Sequence, residues 1–305
     1  MNPGTELTVG EQKQVAKRTV RPDRRIPGWA AGLLARLARD RPAVVTREDL
    51  VTDLRDAGWS RDVDRTVREL QRLGWFHPTH LNGVWAYVPP GEEEVIDPYI
   101  DLRGWRARDP GAVFALAGES AAWHLGYLDR AFSGPVAVWI PSNSRLPHGL
   151  RPHLSIVRLG WGVDDAPHLG PTTALLHRHR LDVSRWAGGL PAFGPEALIV
   201  QLSARPTSFQ PWGDLVPHLE DLVADCDFDR LAELLGKRSS SAWQRAAYLL
   251  HSGNRHDDGV GLLARRPAAM MSKVQFGTGS TSVWVPQFGV ADRLIAPLQS
   301  IAGKA

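Results

Sequence analysis

Several residue types and patterns are scarce in this chain of 305 residues, and each scarcity excludes a class of protein. A single cysteine, Cys226, excludes an internal disulfide framework and is typical of a protein in a reducing cytoplasm. No apolar run approaches the roughly 18 residues that a membrane-spanning helix requires. The polar start Met1-Asn2-Pro3-Gly4 does not resemble a signal peptide. The sequence therefore predicts a cytoplasmic protein without membrane contact.

Catalytic and metal-binding patterns are also scarce. Ser120, in the run Gly118-Glu119-Ser120-Ala121-Ala122, lacks the second glycine of a nucleophile elbow. His177 and His179 are two residues apart, which is the wrong spacing for a helical metal pair, and no cysteine cluster supports zinc. The acidic neighbours of Cys226 are expected to raise the pKa of its thiol, which favours a buried structural cysteine over a nucleophile. We therefore predict no enzymatic activity, no cofactor and no metal.

Positive charge is concentrated in the N-terminal part of the chain. Residues 1–90 hold 15 Lys and Arg against 11 Asp and Glu, whereas residues 91–305 hold 21 against 22, so the net charges are +4 and −1. Residues 1–25 lack apolar periodicity and carry six basic side chains against three acidic ones. They predict a flexible basic arm, in which Arg24 and Arg25 are expected to contact DNA.

Residues 26–90 have the pattern of a winged helix-turn-helix, in which three short helices precede a β-hairpin. Leu33, Leu34 and Leu37 stand at helical spacing in the first helix. Thr46, followed by Asp49 three residues later, predicts a capped start of the second helix. The pair Asn82-Gly83 predicts the hairpin turn that forms the wing.

The third predicted helix carries a row of arginines, called the arginine stripe below: Arg61, Arg65, Arg68 and Arg72. Val63, Val67 and Leu70 fall on its opposite face, and Ser60 is predicted to cap its start. A solvated charged face is the alternative explanation of this pattern. The winged unit and the preceding basic arm favour DNA instead.

Position along this helix predicts what each side chain contacts. Ser60, Arg61 and Arg65 lie near the N-terminal end and are expected to contact bases, whereas Arg68 and Arg72 are expected to contact the phosphate backbone. His80 and Asn82 of the wing complete the predicted DNA-binding set.

Residues 91–97, with three consecutive glutamates, predict a solvated linker, and residues 98–305 predict an α+β domain with a small sheet followed by helices. The predicted helices cover 118–125, 195–202, 215–224, 228–235 and 242–250, and the predicted strands cover 136–140, 154–158 and 281–285. Most of the 12 tryptophans are interpreted as core residues. Trp186, with Arg185 beside it in a loop-like context, is the candidate for contact with a protein partner.

The order of motifs in this second domain resembles the AbiEi family, the antitoxins of type IV toxin–antitoxin pairs. Residues 114–127 (FALAGESAAWHLGY), 190–198 (LPAFGPEAL) and 227–250, with DFDRLAELL and RAAYLL, carry the resemblance. It covers roughly residues 26–290. Gly194 stands where the family commonly has a serine, and residues 268–305 match poorly, so their role is open.

The resemblance implies a non-enzymatic antitoxin with two tasks. The N-terminal domain would bind inverted repeats in its own promoter, with two copies expected on the DNA, and repress the operon. The C-terminal domain would counteract a nucleotidyltransferase-like toxin. Two alternatives stay open: a ligand-responsive transcription regulator whose C-terminal domain holds a small molecule, and a nuclease-like enzyme. The enzyme would need a carboxylate or histidine cluster, which the residues do not supply.

Overall fold

The computed structural model describes residues 24–60, 62–129, 134–142, 144–159, 190–236, 238–267 and 271–302. These ranges contain three small sheets, and more of their residues lie in helices than in strands. The predicted α+β class is therefore confirmed. No helix in these ranges is long and apolar enough to cross a membrane.

The N-terminal unit consists of three helices and a three-stranded antiparallel sheet with strand order β1-β3-β2. Its elements are α1 (Ala31–Asp40), β1 (Val44–Thr46), α2 (Arg47–Asp56), α3 (Val63–Arg72), β2 (Phe76–Pro78) and β3 (Val84–Tyr87). Leu34, Leu50, Leu70 and Phe76 meet in one apolar core, each at most 3% exposed. The unit is held together by burial of these side chains, since each element presents one apolar face.

The two central helices begin with different caps. Thr46 caps α2 as predicted, because its hydroxyl accepts from the Asp49 amide at 3.1 Å and the Asp49 carboxylate accepts from the Thr46 amide at 2.9 Å. The prediction that Ser60 caps α3 is wrong. Asp62 is the cap, and its carboxylate accepts from the Arg65 amide at 2.7 Å. A carboxylate there satisfies the same amide and also complements the helix dipole.

The C-terminal part holds two further sheets and nine described helices. The first sheet contains β4 (Ala115–Leu116), β5 (Val136–Trp139) and β6 (Leu154–Val157), in that order. The second has the order β7-β9-β8 and contains β7 (Val274–Phe276), β8 (Val283–Val285) and β9 (Val290–Asp292). The helices are α4 (Ile100–Arg108), α5 (Gly118–His124), α6 (Pro195–Ala204), α7 (Trp212–Leu215), α8 (Leu219–Ala224), α9 (Phe228–Leu235), α10 (Ser240–Ser252), α11 (His256–Ala264) and α12 (Ile295–Ala302).

Helix α6 is the centre of this part. Every residue from 195 to 203 is buried, and the helix packs against α5, α9 and α10. A helix that is buried on all sides requires other elements around it. Cys226 lies in the same core at 4% exposure, and burial, with the carboxylates of Glu196 and Asp227, raises the pKa of its thiol. The predicted structural cysteine is thereby confirmed.

The second sheet lies between α11 and α12, which corrects the expectation of one sheet followed by helices. The predicted strand 281–285 corresponds to β8, whereas β7 and β9, with three residues each, are too short to show a clear alternation in the sequence. The buried Gln244 donates from Nε2 to the carbonyls of Ser272, at 2.8 Å, and Phe288, at 2.9 Å. The Tyr248 hydroxyl donates to the Asp292 carboxylate at 2.8 Å. Residues 271–302 are therefore part of the same folded body.

The tip of the hairpin is bound to the C-terminal part by polar contacts. The His80 amide donates to Asp101 Oδ1 at 2.9 Å, and the ring Nδ1 of His80 lies 2.6 Å from Asp101 Oδ2. The same ring stacks on His153, with 3.4 Å between ring centroids. The backbone and the side chain of one wing residue are thus both fixed by residues of the second part.

Apolar contacts extend this junction. Leu81 and Val84 of the hairpin are buried in one cluster with Leu102 and Trp105 of α4. Gly104 of α4 lets the hairpin approach, because a Cβ there would lie 3.0 Å from Val84 Cγ1 and 3.2 Å from Leu81 Cδ1. Helix α4 was not predicted from the sequence. It follows the predicted linker and packs directly on strands β1 and β3.

Replacing Asp101 with alanine removes the acceptor that holds His80. We expect the free energy of unfolding to fall by about 1–2 kcal/mol, because the amide and ring of His80 lose their hydrogen bonds to a carboxylate that is only 16% exposed. We also expect faster hydrogen exchange at the His80 amide. Glu92→Ala, at an exposed position before α4, is the control. An unchanged exchange rate at His80 in Asp101→Ala would contradict the described junction.

Replacing Asp292 tests the attachment of the C-terminal residues. Its fully buried carboxylate also accepts from the amides of Leu294, at 2.9 Å, and Ile295, at 3.0 Å. Asp292→Ala should therefore lower the free energy of unfolding by about 2–4 kcal/mol in urea titrations. Tyr248→Phe, which removes one bond to the same carboxylate, should cost about 1 kcal/mol. A larger loss for the phenylalanine variant than for Asp292→Ala would refute this account.

Candidate nucleic-acid interface

The three described members of the arginine stripe, Arg65, Arg68 and Arg72, lie on the exposed face of α3. On the opposite face, Val67 and Leu70 are 4% and 0% exposed. The helix is therefore oriented by burial of its apolar residues, and this orientation turns the arginines to solvent.

Acidic residues on α3 do not cancel this charge. Arg47 of α2 binds the carboxylate of Asp64 through both terminal nitrogens, and these bonds lower the pKa of Asp64. Within the described part of the chain, no carboxylate forms an ion pair with Arg65 or Arg72. Arg68 donates from Nε to the backbone carbonyl of Asp64 at 3.2 Å, which leaves its terminal nitrogens for other partners.

The start of α3 is connected to the wing tip through Arg47 of α2. Arg47, which binds Asp64, donates its amide proton to the carbonyl of Gly83 at 2.8 Å. Gly83 has φ +74, the left-handed conformation expected at the predicted hairpin turn. The carbonyl of the exposed Asn82 accepts from Arg108 of α4 at 3.4 Å. The start of α3 and the end of α4 are therefore both linked to the wing tip.

A second group of basic side chains adjoins the wing tip. Residues 134–159 contain no Asp or Glu. Within them lies the basic segment, defined by five exposed side chains: Arg145, His148, Arg151, His153 and Arg158. Because His153 stacks on His80, the segment contacts the wing. None of these five side chains was predicted as a site residue, although the absence of acidic residues over this range is a signal that points to them.

Several predicted site residues have other surroundings than expected. The ring of His80, which is predicted to contact DNA, lies against Asp101 and His153 and so also positions the wing. The Arg24 guanidinium lies 5.4 Å from the Trp75 ring centroid and donates to the Pro89 carbonyl at 3.2 Å, so it packs on the N-terminal unit. Arg25 is exposed, and its carbonyl accepts from Trp75 Nε1 at 3.2 Å.

The rest of the predicted arm, residues 1–23, lies outside the described residues, as do Arg61, Arg185 and Trp186.

The other candidate sites have structural surroundings. Ser120 is fully buried, and its hydroxyl accepts from the Ala137 amide at 2.9 Å, which ties α5 to β5. Among the residues that the structure describes, no three His, Cys, Asp or Glu side chains are close enough together to hold a metal ion. Trp139, Trp212 and Trp243 are core residues, as interpreted, whereas Trp284 is exposed on β8.

Comparison with known proteins identifies the C-terminal part. Residues 112–252 match the AbiEi antitoxin C-terminal domain, and this range includes the three stretches that carried the resemblance. The crystal structure of the RV2827C protein from Mycobacterium tuberculosis matches with a TM-score of 0.82 and 52% sequence identity, covering 93% of this chain and 98% of that chain. Comparison with curated proteins returns no match. AbiEi is a family of antitoxins rather than enzymes, and an antitoxin implies a toxin partner. The chain therefore belongs to the AbiEi antitoxin family.

Proposed function

We propose that this antitoxin binds DNA through its N-terminal unit, acting as a winged helix-turn-helix, and represses its own operon. The exposed row of Arg65, Arg68 and Arg72 on α3 carries the proposal. Phosphates attract any cation, but arginine also forms paired hydrogen bonds with guanine in the major groove. Three arginines on one face of a third helix meet both requirements.

The position of each arginine assigns its contact. Arg65 lies three residues after the cap, in the first turn of α3, so it is the base-contacting residue together with Ser60 and Arg61. Arg68 and Arg72 stand further along the helix and contact phosphates. Since a single unit covers a short site, two copies on an inverted repeat form the repressing complex.

The basic segment enlarges this interface. It adjoins the wing, it carries no acidic residue, and the junction at His80 fixes its position relative to the hairpin. Its exposed arginines, Arg145, Arg151 and Arg158, supply phosphate contacts beyond those of the wing. The C-terminal domain thus takes part in holding the DNA as well as in counteracting the toxin.

The toxin is of the nucleotidyltransferase-like class, according to the family resemblance, and Trp186 with Arg185 remains the candidate contact. An adjacent reading frame for such a toxin supports this assignment, and an unrelated neighbouring frame counts against it. The alternative of a ligand-responsive regulator requires a closed pocket lined by aromatic side chains. Two described clefts, of about 410 and 440 Å³, open to solvent, and Trp59 is the single aromatic residue that lines either.

The stripe can be tested with a duplex containing the inverted repeats of the chain's own promoter. Arg65→Ala should weaken specific binding by about 1–3 kcal/mol, whereas Arg72→Ala should lower the salt slope by about 1 and weaken all sequences alike. Arg39→Ala, an exposed arginine of α1, is the matched control. If the triple variant of Arg65, Arg68 and Arg72 binds with unchanged affinity and salt dependence, the DNA-binding proposal fails.

The basic segment makes a separate prediction. Replacing Arg145, Arg151 and Arg158 together by alanine should reduce the slope of log affinity against log salt by about 0.9 for each phosphate that the segment no longer neutralises. The preference for operator over unrelated DNA should stay the same, because phosphates carry no sequence information. Arg205→Ala, exposed after α6, serves as the control. An unchanged salt slope in the triple variant would remove the segment from the interface.

A further inference from the structure

Strand β8 is the open edge of the second sheet. The strand order is β7-β9-β8, and within the described residues β8 pairs with β9 alone. The opposite edge is covered, because β7 packs against α10 and Arg245 of that helix donates from Nε to the Gln275 carbonyl at 2.8 Å. An uncovered edge strand presents backbone groups with which a strand of another chain can pair.

The backbone groups at this open edge belong to Trp284. Successive residues of a strand direct their amide and carbonyl to alternate sides. The Val285 carbonyl accepts from the Phe288 amide at 3.2 Å and therefore faces the turn that leads to β9. The amide and carbonyl of Trp284 consequently point away from β9. Pro286, which has no amide proton, ends the edge directly after β8.

The side chains of β8 are exposed on both faces of the sheet. Val283 is 44% exposed and Trp284 is 47% exposed, although valine and tryptophan are mostly buried in folded proteins. Lys273, which precedes β7, reaches the Trp284 ring, with Nζ 5.3 Å from the ring centroid. Exposed apolar surface beside free backbone groups favours contact with another chain.

The charge pattern indicates which chain. Residues 274–291, which contain all of β7 and β8, include no Lys, Arg, Asp or Glu. Natural edge strands commonly carry a charge, lysine above all, that prevents pairing with a second copy. This edge has no such charge, so two identical edges meet without repulsion. It also gives no attraction to DNA, whose phosphates require cations. The surface thus fits a second copy of itself.

The sequence of β8 supports this pairing. Val283-Trp284-Val285 reads Val-Trp-Val from either end, so a two-fold axis beside Trp284 relates two antiparallel copies without mismatch. The Trp284 amide of each copy then donates to the Trp284 carbonyl of the other, which gives two hydrogen bonds by symmetry. The two indole rings lie opposite each other on one face, as in cross-strand aromatic pairs.

We propose that β8 joins two copies of this chain edge to edge, so that their three-stranded sheets become one continuous sheet. Because β7 is covered, the association ends at two copies. The operator of the proposed function is an inverted repeat, whose two-fold symmetry matches that of this contact. The assignment deepens the proposed function, since it names the contact between the two copies on DNA, and it rests on that function for this role.

The contact is weak in free solution, because a strand of three residues buries little surface. Two copies held on adjacent half-sites meet at an effective concentration of about 1 mM. A contact with a Kd of about 0.1 mM would then raise the affinity of the second copy for the DNA by about 10-fold.

Cross-linking tests the contact without DNA. Ser282→Cys places an exposed thiol at the start of the edge, and the natural Cys226 is only 4% exposed. In the proposed pairing the two new thiols lie four residues apart along the strands, about 13 Å. A bis-maleimide of that length should yield dimers of Ser282→Cys at a protein concentration of about 0.1 mM, close to the Kd above.

Thr207→Cys, exposed after α6 and remote from β8 in the sequence, is the matched control and should yield mainly monomers. Equal dimer yields from the two cysteine variants would overturn the proposal.

A charge at the two-fold axis should abolish the contact. Trp284→Lys places two like charges directly opposite each other. On a duplex with both half-sites this variant should lose the 10-fold gain of the second copy, whereas on a duplex with one half-site it should bind like the unaltered chain. Val260→Lys, at an exposed apolar position of α11, is the control and should keep the gain. If Trp284→Lys also keeps it, the proposal is overturned.

The two experiments separate this proposal from the DNA-binding function. If the unaltered chain binds no operator but Ser282→Cys gives dimers, the repressor proposal fails and the β8 contact stands. If the unaltered chain binds the operator and Ser282→Cys yields no more dimer than Thr207→Cys, the β8 contact fails alone.

Discussion

The anchoring of the hairpin on the C-terminal domain is the contact on which the rest of the structure depends. Asp101 holds both the backbone and the ring of His80, and Leu81 and Val84 enter the same core as Trp105. Without this junction, the N-terminal unit would be connected to the C-terminal domain only through residues 91–97. With it, the arginine stripe and the basic segment keep a fixed distance from each other.

Burial determines the local geometry on both sides of the junction. In the N-terminal unit, Val67 and Leu70 are buried, and their burial turns the arginines of α3 outward. In the C-terminal domain, the complete burial of α6 places Gln201 where its amide closes the turn at Gly118. Exposed ion pairs contribute too little free energy to orient a helix. Packing therefore determines which surface each charged side chain lies on.

The sequence predicted those parts of the fold that short-range patterns encode. Thr46 with Asp49 marked the start of α2, and Asn82-Gly83 marked the hairpin turn. Helix α4 and the role of His80 escaped prediction because their partners are distant in the chain: Asp101 is 21 residues from His80. Pairings of this kind depend on the assembled fold, which periodicity does not report.

Gly104 limits the substitutions that the hairpin and α4 can accept during evolution. A side chain there would meet Val84 at 3.0 Å, so the hairpin and α4 can vary only together. A larger residue on one side requires a smaller residue on the other, as in any tightly packed pair. The N-terminal unit is therefore not a transferable module. Joined to another protein without a matching α4, it would expose Leu81 and Val84 to water and carry an aggregation-prone surface.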